Sequence, residues 1–171
     1  TTTALSSARI RIGATSVGNY ALFAGGGTTT NSSSQTTTVD TYTRSLTKET
    51  ATTGLSVARY VDAAASLGNY AFFVGGTNGS TAVKNVDIYN DSLSKISAED
   101  LSATATNNSG ASNSSYAIFA GGGNKESEPS SRNNAYAYNA SAQRATNVEA
   151  LSTSRLDMGC ATAGNHVLFV G

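Results

Sequence analysis

The chain has 171 residues, with 11 lysines and arginines against 11 aspartates and glutamates, so it lacks the basic excess that nucleic acid or an anionic membrane surface attracts. Its uninterrupted apolar runs reach only about four residues, far short of the roughly 20 needed for a membrane-spanning helix, and its one cysteine, Cys160, excludes an intrachain disulfide. Serine and threonine supply 47 residues, a composition that suits solvent-facing strands better than helices, and the length suits one domain spanning residues 1–171.

The first unit, about residues 5–53, opens with Leu5-Ser6 and Arg9. Ile10 to Val17 is a run of small and β-branched residues, and Gly18-Asn19 is a two-residue hairpin signal, because glycine accepts positive φ without strain. Tyr20 to Ala24 is apolar without alternation, which predicts a strand buried on both faces. The cluster Gly25-Gly26-Gly27 ends that strand where backbones approach closely. A polar loop follows, then a third strand around Thr37 to Thr43 containing Asp40 and Tyr42, a turn at Arg44-Ser45, and a fourth strand from Leu46 to about Thr53.

The same order returns three times. Unit two, about 54–100, has Leu55, Arg59, Tyr70, Gly75-Gly76, Asp87, Tyr89 and Leu93. Unit three, about 101–150, has Leu101, Tyr116, Gly121-Gly122 and Tyr138, but Ala105 stands at the arginine position and no residue clearly matches Leu46. A partial fourth unit, about 151–171, has Leu151, Arg155, His166 at the turn-aromatic position, and Gly171. The opening leucines are spaced by 50, 46 and 50 residues, and the differences fall in polar loops, the third of which holds the only proline, Pro129.

Four antiparallel strands in 46 to 50 residues, repeated, is the period of a β-propeller blade. The pattern of arginine, an aromatic and apolar strand ending in Gly-Gly, and a later tyrosine resembles the Kelch repeat. It departs from that family in placing leucine where the family has tryptophan. The resemblance implies an all-β fold with three complete four-stranded blades and a half blade, an incomplete ring expected to be a segment of a six- or seven-bladed propeller. Thr1 to Ala4 reads as the end of a preceding fourth strand.

In Kelch-like propellers the loops between strands two and three share one face with the segments that join blades. That places Arg9, Arg59 and Arg155 near a channel mouth, with Asn31, Asn78 and Lys125 in the loops above, as candidate binding groups for a protein or glycan partner. The competing reading pairs each arginine with a nearby aspartate or a blade-edge carbonyl. The repeated Tyr20, Tyr42, Tyr70, Tyr89, Tyr116 and Tyr138, and Asp40 with Asp87, read as structural, since identical phase in every blade serves packing better than catalysis. Cys160 reads as a buried small hydrophobe and His166 as a variant of the turn aromatic. Six N-x-[ST] sequons, at Asn31, Asn78, Asn90, Asn107, Asn113 and Asn139, scarcely exceed chance in so serine-rich a chain.

The leading expectation is a non-enzymatic structural or recognition module, without cofactor or metal, in a surface, extracellular or virion-type assembly. The alternatives are part of a Kelch-like oxidase or sugar-acid isomerase with its active site in other blades, and a cytosolic Kelch adaptor. The oxidase would need two histidines and a cysteine-linked tyrosine, whereas this chain holds one histidine and one cysteine.

Overall fold

The computed structural model describes residues 3–30, 33–50, 52–124 and 130–171. Thr1, Thr2, Asn31, Lys125 and Pro129, each assigned a place above, lie outside the described residues. The described chain is all-β and builds four antiparallel sheets, none closed on itself. The first comprises β1 (Gly13–Val17), β2 (Tyr20–Ala24) and β3 (Val39–Thr43); the second comprises β4 (Ala63–Leu67), β5 (Tyr70–Val74), β6 (Val86–Asn90) and β7 (Lys95–Ile96). The third holds β8 (Ser109–Ser112), β9 (Tyr116–Ala120) and β10 (Ala135–Asn139), and the fourth β11 (Gly159–Ala163) and β12 (His166–Val170).

Within a sheet the strands follow chain order, as short hairpins require. Gly18-Asn19 and Gly68-Asn69 turn the first hairpins, and Gly18 and Gly68 have φ of 54° and 55°. Across β2 and β3, Phe23 stands opposite Asp40 and Ala21 opposite Tyr42; β5 and β6 repeat this with Phe73 opposite Asp87 and Ala71 opposite Tyr89. The registers are identical because the turns and the apolar pattern are.

The expected four-stranded sheet forms only in the second unit, and its last strand has two residues. In units one and three the fourth strand shrinks to single bridges, Tyr42 with Lys48 and Tyr138 with Arg144. In all three units Leu46, Leu93 and Ala142 take left-handed φ of 62°, 60° and 59°, so each belongs to the turn, and pairing starts only two residues later, at Lys48, Lys95 and Arg144. Ala142 is also the third-unit counterpart of Leu46 that the sequence did not reveal.

The sheets stack in order through their first strands, β1 on β4, β4 on β8 and β8 on β11. These strands read GATSV, AAASL, SGAS and GCATA, and such small side chains let the backbones converge. At Gly13 even a Cβ would lie 2.9 Å from Val61 Cβ. Two apolar cores separate the sheets. Leu22, Ala24 and Val39 of the first sheet meet Leu55, Val61, Ala71, Phe73 and Tyr89. Phe72, Val74, Val86 and Ile88 meet Leu101, Ala105, Phe119 and Tyr138, with the Phe72 and Tyr138 rings 5.4 Å apart.

Burial on both faces therefore holds for β5, in which Phe72 and Phe73 point into opposite cores. It does not hold for β2 or β12, because each has a packed sheet on one side only: Leu22 and Ala24 are buried, whereas Phe23 is not. Cys160, expected to be buried, is exposed with the rest of β11, and its thiol, turned toward the third sheet, lies 3.2 Å from the Gly110 carbonyl.

The glycine doublets join neighbouring units. The second glycine donates its N–H to the carbonyl at the arginine position of the next unit: Gly26 to Arg59 at 2.9 Å, Gly76 to Ala105 at 2.7 Å, and Gly122 to Arg155 at 2.8 Å. A Cβ on the first glycine would come within 2.5, 2.5 and 2.6 Å of the same three carbonyl oxygens at Gly25, Gly75 and Gly121. A side chain at Gly76 would overlap the Tyr60 carbonyl at a φ of 100°. Gly76→Ala is therefore expected to cost about 3 kcal/mol or more in a urea titration. Gly68→Ala, left-handed but with open space around it, should cost about 1 kcal/mol.

Candidate recognition face

Two of the three expected mouth arginines are interior. Arg9 is paired with Asp40, and Arg59 Nη1 lies 2.7 Å from Asp87 Oδ2, with all four side chains at most 3% exposed. Each carboxylate is enclosed by the same set. Ser6 and Ser56 each donate both N–H and hydroxyl to it, and Lys48 and Lys95 reach it at 2.7 and 2.6 Å. The guanidinium groups also donate to the carbonyls of Gly25 and Thr38 in one unit and of Gly75 and Phe73 in the other. The geometry thus follows the carboxylate-and-carbonyl reading: Arg9 and Arg59 bind their own blade and have no face toward a ligand.

Burial by itself would raise the Asp87 carboxyl, but the charge of Arg59 and the hydrogen bond from Lys95 outweigh it and hold the group below the usual 3.8. Asp40 is lowered likewise, burial being opposed there by Lys48, Ser6 and Arg9. The Tyr89 hydroxyl is pushed upward by burial and by Asp87; it donates to the Thr53 carbonyl at 2.9 Å, as Tyr138 donates to Glu99 at 3.1 Å.

Unit three loses the arginine and the aspartate together but keeps the serine, Ser102. Ala105 stands at the arginine position, Tyr136 at the aspartate position and Arg144 at the lysine position; Tyr136 fills the space with its hydroxyl 3.3 Å from Ser102 Oγ, and Arg144 turns to Glu99. An unpaired buried charge is so costly that losing one partner requires losing the other.

A different set of polar residues gathers beside the first variable loop. Tyr60, next to Arg59, donates its hydroxyl to the Thr29 carbonyl in the first variable loop at 2.7 Å, and the Arg11 guanidinium lies 4.7 Å above its ring. The loop and the unit-joining segments therefore share one side. Arg11, one-third exposed, reaches Asp62 at 3.2 Å, and Asp62 also accepts from the Thr106 hydroxyl and the Asn107 N–H, both at 2.8 Å. Arg11, Asp62 and Asn107, together with Asn108, Asp157 and Met158, line an open cleft of about 560 Å³. Arg11, Asn107 and Asp157 hold left-handed φ of 54°, 55° and 54°, a strain of roughly 1–2 kcal/mol at each. Asn108 Oδ1 is buried on the lining without a hydrogen-bond partner among the described residues.

The remaining expected residues scatter. Asn78 is exposed at the tip of the second loop, its N–H bonded to the Thr81 carbonyl. Arg155 is exposed and donates to the Gly171 carbonyl. Tyr20 and Tyr70 are half-buried beside their hairpins, Tyr116 and His166 are exposed there, and Tyr42, Tyr89 and Tyr138 are buried in the interior. Sequence reading missed Arg11, Asp62, Asn107 and Asp157. The available signal was the pair of positions two and three after each arginine-site residue, Arg11-Ile12, Val61-Asp62, Asn107-Asn108 and Asp157-Met158, which vary from unit to unit. No protein-family model matches the chain, and no curated protein matches it at a significant level.

Arg59→Ala should lower stability by about 3–5 kcal/mol, a fall in Tm on the order of 10 °C. Arg59→Ala combined with Asp87→Tyr, which copies unit three, should recover a substantial part of that loss in the same thermal scan. Because the folded Asp40 and Asp87 carboxyls lie below 3.8, the stability they contribute is fully present above about pH 4 and is lost as pH falls through their folded values. Urea midpoints measured from pH 5 down to about pH 2 should show that decline, and Asp87→Asn should flatten it.

Proposed function

We propose that the chain is part of a Kelch-like β-propeller and acts as a non-enzymatic recognition or structural module, presenting variable polar loops and the cleft beside them to a protein or glycan partner. A surface, extracellular or virion-type assembly is the setting that suits its low charge and its wealth of serine, threonine and asparagine. The observation that carries the reading is the division of labour among the polar groups. The buried charges of units one and two occupy matching places and are satisfied internally, whereas Arg11, Asp62, Asn107 and Asp157 differ between units and gather at one open cleft. Residues that differ on a scaffold that repeats are what a recognition surface needs.

Four sheets stacked through their innermost strands, with glycine doublets at each junction, support the propeller reading. Binding of the 171-residue chain to glycan and protein arrays, compared with the double variant Arg11→Ala/Asp157→Ala, tests the function. Arg11 and Asp62 form a partly exposed pair, so removing the arginine should cost under about 1 kcal/mol and leave Tm nearly unchanged. Array signals lost in a variant that melts normally are the expected result; signals that persist at full strength would move recognition away from the cleft.

A further inference from the structure

The second variable loop carries a reactive pair of residues found nowhere else in the chain. Of the 15 asparagines, only Asn78 is followed by glycine. Asn78 and Gly79 lie in the tight loop closed by the bridge between Thr77 and Ala82, where the Asn78 N–H donates to the Thr81 carbonyl at 3.1 Å. Asn78 is exposed, and its side-chain amide has no hydrogen-bond partner among the described residues. The Gly79 N–H donates to no backbone carbonyl among them either, and Gly79 has a φ of 115°.

Other asparagines in turns are held. Asn90 Oδ1 accepts from the N–H groups of Ser92 and Ser94 at 3.1 and 2.9 Å, and Asn139 Oδ1 accepts from those of Ser141 and Gln143 at 2.9 and 3.0 Å. Asn113 Oδ1 accepts from Ser115 and Tyr116, both at 2.8 Å. Each carboxamide is pinned by its own turn. Each is also followed by a residue with a side chain, Asp91, Ala140 or Ser114.

We propose that Asn78-Gly79 is a self-modifying site, at which the asparagine converts without an enzyme to aspartate and isoaspartate. The Gly79 nitrogen, having lost its proton to hydroxide, attacks Asn78 Cγ. The new C–N bond closes a five-membered succinimide, and Nδ2 leaves as ammonia. Water then opens the ring at either carbonyl: one opening gives aspartate, and the other gives isoaspartate, in which the main chain runs through Cγ. Glycine favours the attack because it puts no Cβ beside the reacting nitrogen and leaves the backbone free to turn. An exposed loop tip leaves the pair open to water.

The position gives the conversion a consequence. Tyr60 donates its N–H to the Thr77 carbonyl at 2.8 Å and its hydroxyl to the Thr29 carbonyl at 2.7 Å, so the first and second loops stand on one side. Conversion puts a carboxylate there, on a chain whose formal net charge is zero. Isoaspartate also lengthens the loop's backbone by one carbon. The chemistry needs no partner; its effect on recognition rests on the function proposed above.

The full 171-residue protein is incubated in warm, mildly alkaline buffer made with ¹⁸O-water, and its tryptic peptides are followed by mass spectrometry. Position 78 is expected to take up the heavy oxygen about fivefold or more faster than any other asparagine, and faster as pH rises. The product should accept methyl groups from an isoaspartyl methyltransferase. Gly79→Val should slow the conversion about tenfold or more, whereas the folded protein should match the free peptide TNGST within about threefold. Conversion more than about tenfold slower in the protein than in the peptide, or undiminished in Gly79→Val, overturns the proposal. If Gly79→Val does not fold, the comparison of unaltered protein with peptide decides the matter. Because the mass reads the chemistry alone, a failure of the cleft to bind any partner leaves this result standing.

Discussion

Everything else in this structure depends on a backbone contact between units. The N–H of the second glycine in each doublet reaches the carbonyl of the next unit's arginine-position residue, and there is no room for a Cβ on either glycine. The contact fixes how far one sheet stands from the next. It therefore sets the thickness of each apolar core, and it holds the residues after the arginine position near the opening of the stack. The small first strands follow from it, since β1, β4, β8 and β11 must converge where the doublets hold the sheets together.

The buried Ser-Arg-Asp-Lys cluster works inside this frame. Its arginine carbonyl serves the preceding unit and its guanidinium serves its own, so one residue fastens two sheets. Its charges are costly to bury and are tolerated because the carboxylate is fully surrounded by donors. Unit three shows the frame surviving without the cluster: Ala105 still offers its carbonyl to Gly76, and Tyr136 with Leu101 and Ala142 makes the interior apolar instead. The backbone contact is thus indifferent to the side chain above it, which is how a repeat tolerates divergence.

Much of the fold was legible because its determinants are short and local. Gly-Asn before an apolar run, a glycine doublet after it, and a tyrosine at fixed distance give hairpins, strand ends and core positions without knowledge of tertiary structure. Legibility failed where the outcome depends on a neighbour. The left-handed conformation of Leu46, Leu93 and Ala142 is not written in residues that ordinarily avoid it, and it moves the start of pairing two residues beyond the expected opening of the fourth strand. Exposure of Cys160, shared by all of β11, is not encoded in its apolar local sequence. At the candidate face, repetition drew the eye to Arg9 and Arg59, which proved structural. The cleft is made by Arg11, Asp62, Asn107 and Asp157, which stand two or three residues after the arginine site and do not repeat.

The adjacent phenylalanines of β5 carry a further consequence. Phe72 belongs to one core and Phe73 to the other, and they share a single peptide bond. Any rotation of that strand that relieves packing on one side disturbs packing on the other, so the two interiors melt as one body and not in sequence. Cooperativity along the array is in this sense a property of the middle sheet. The first and third sheets each contribute to one of these interiors, and the fourth to neither.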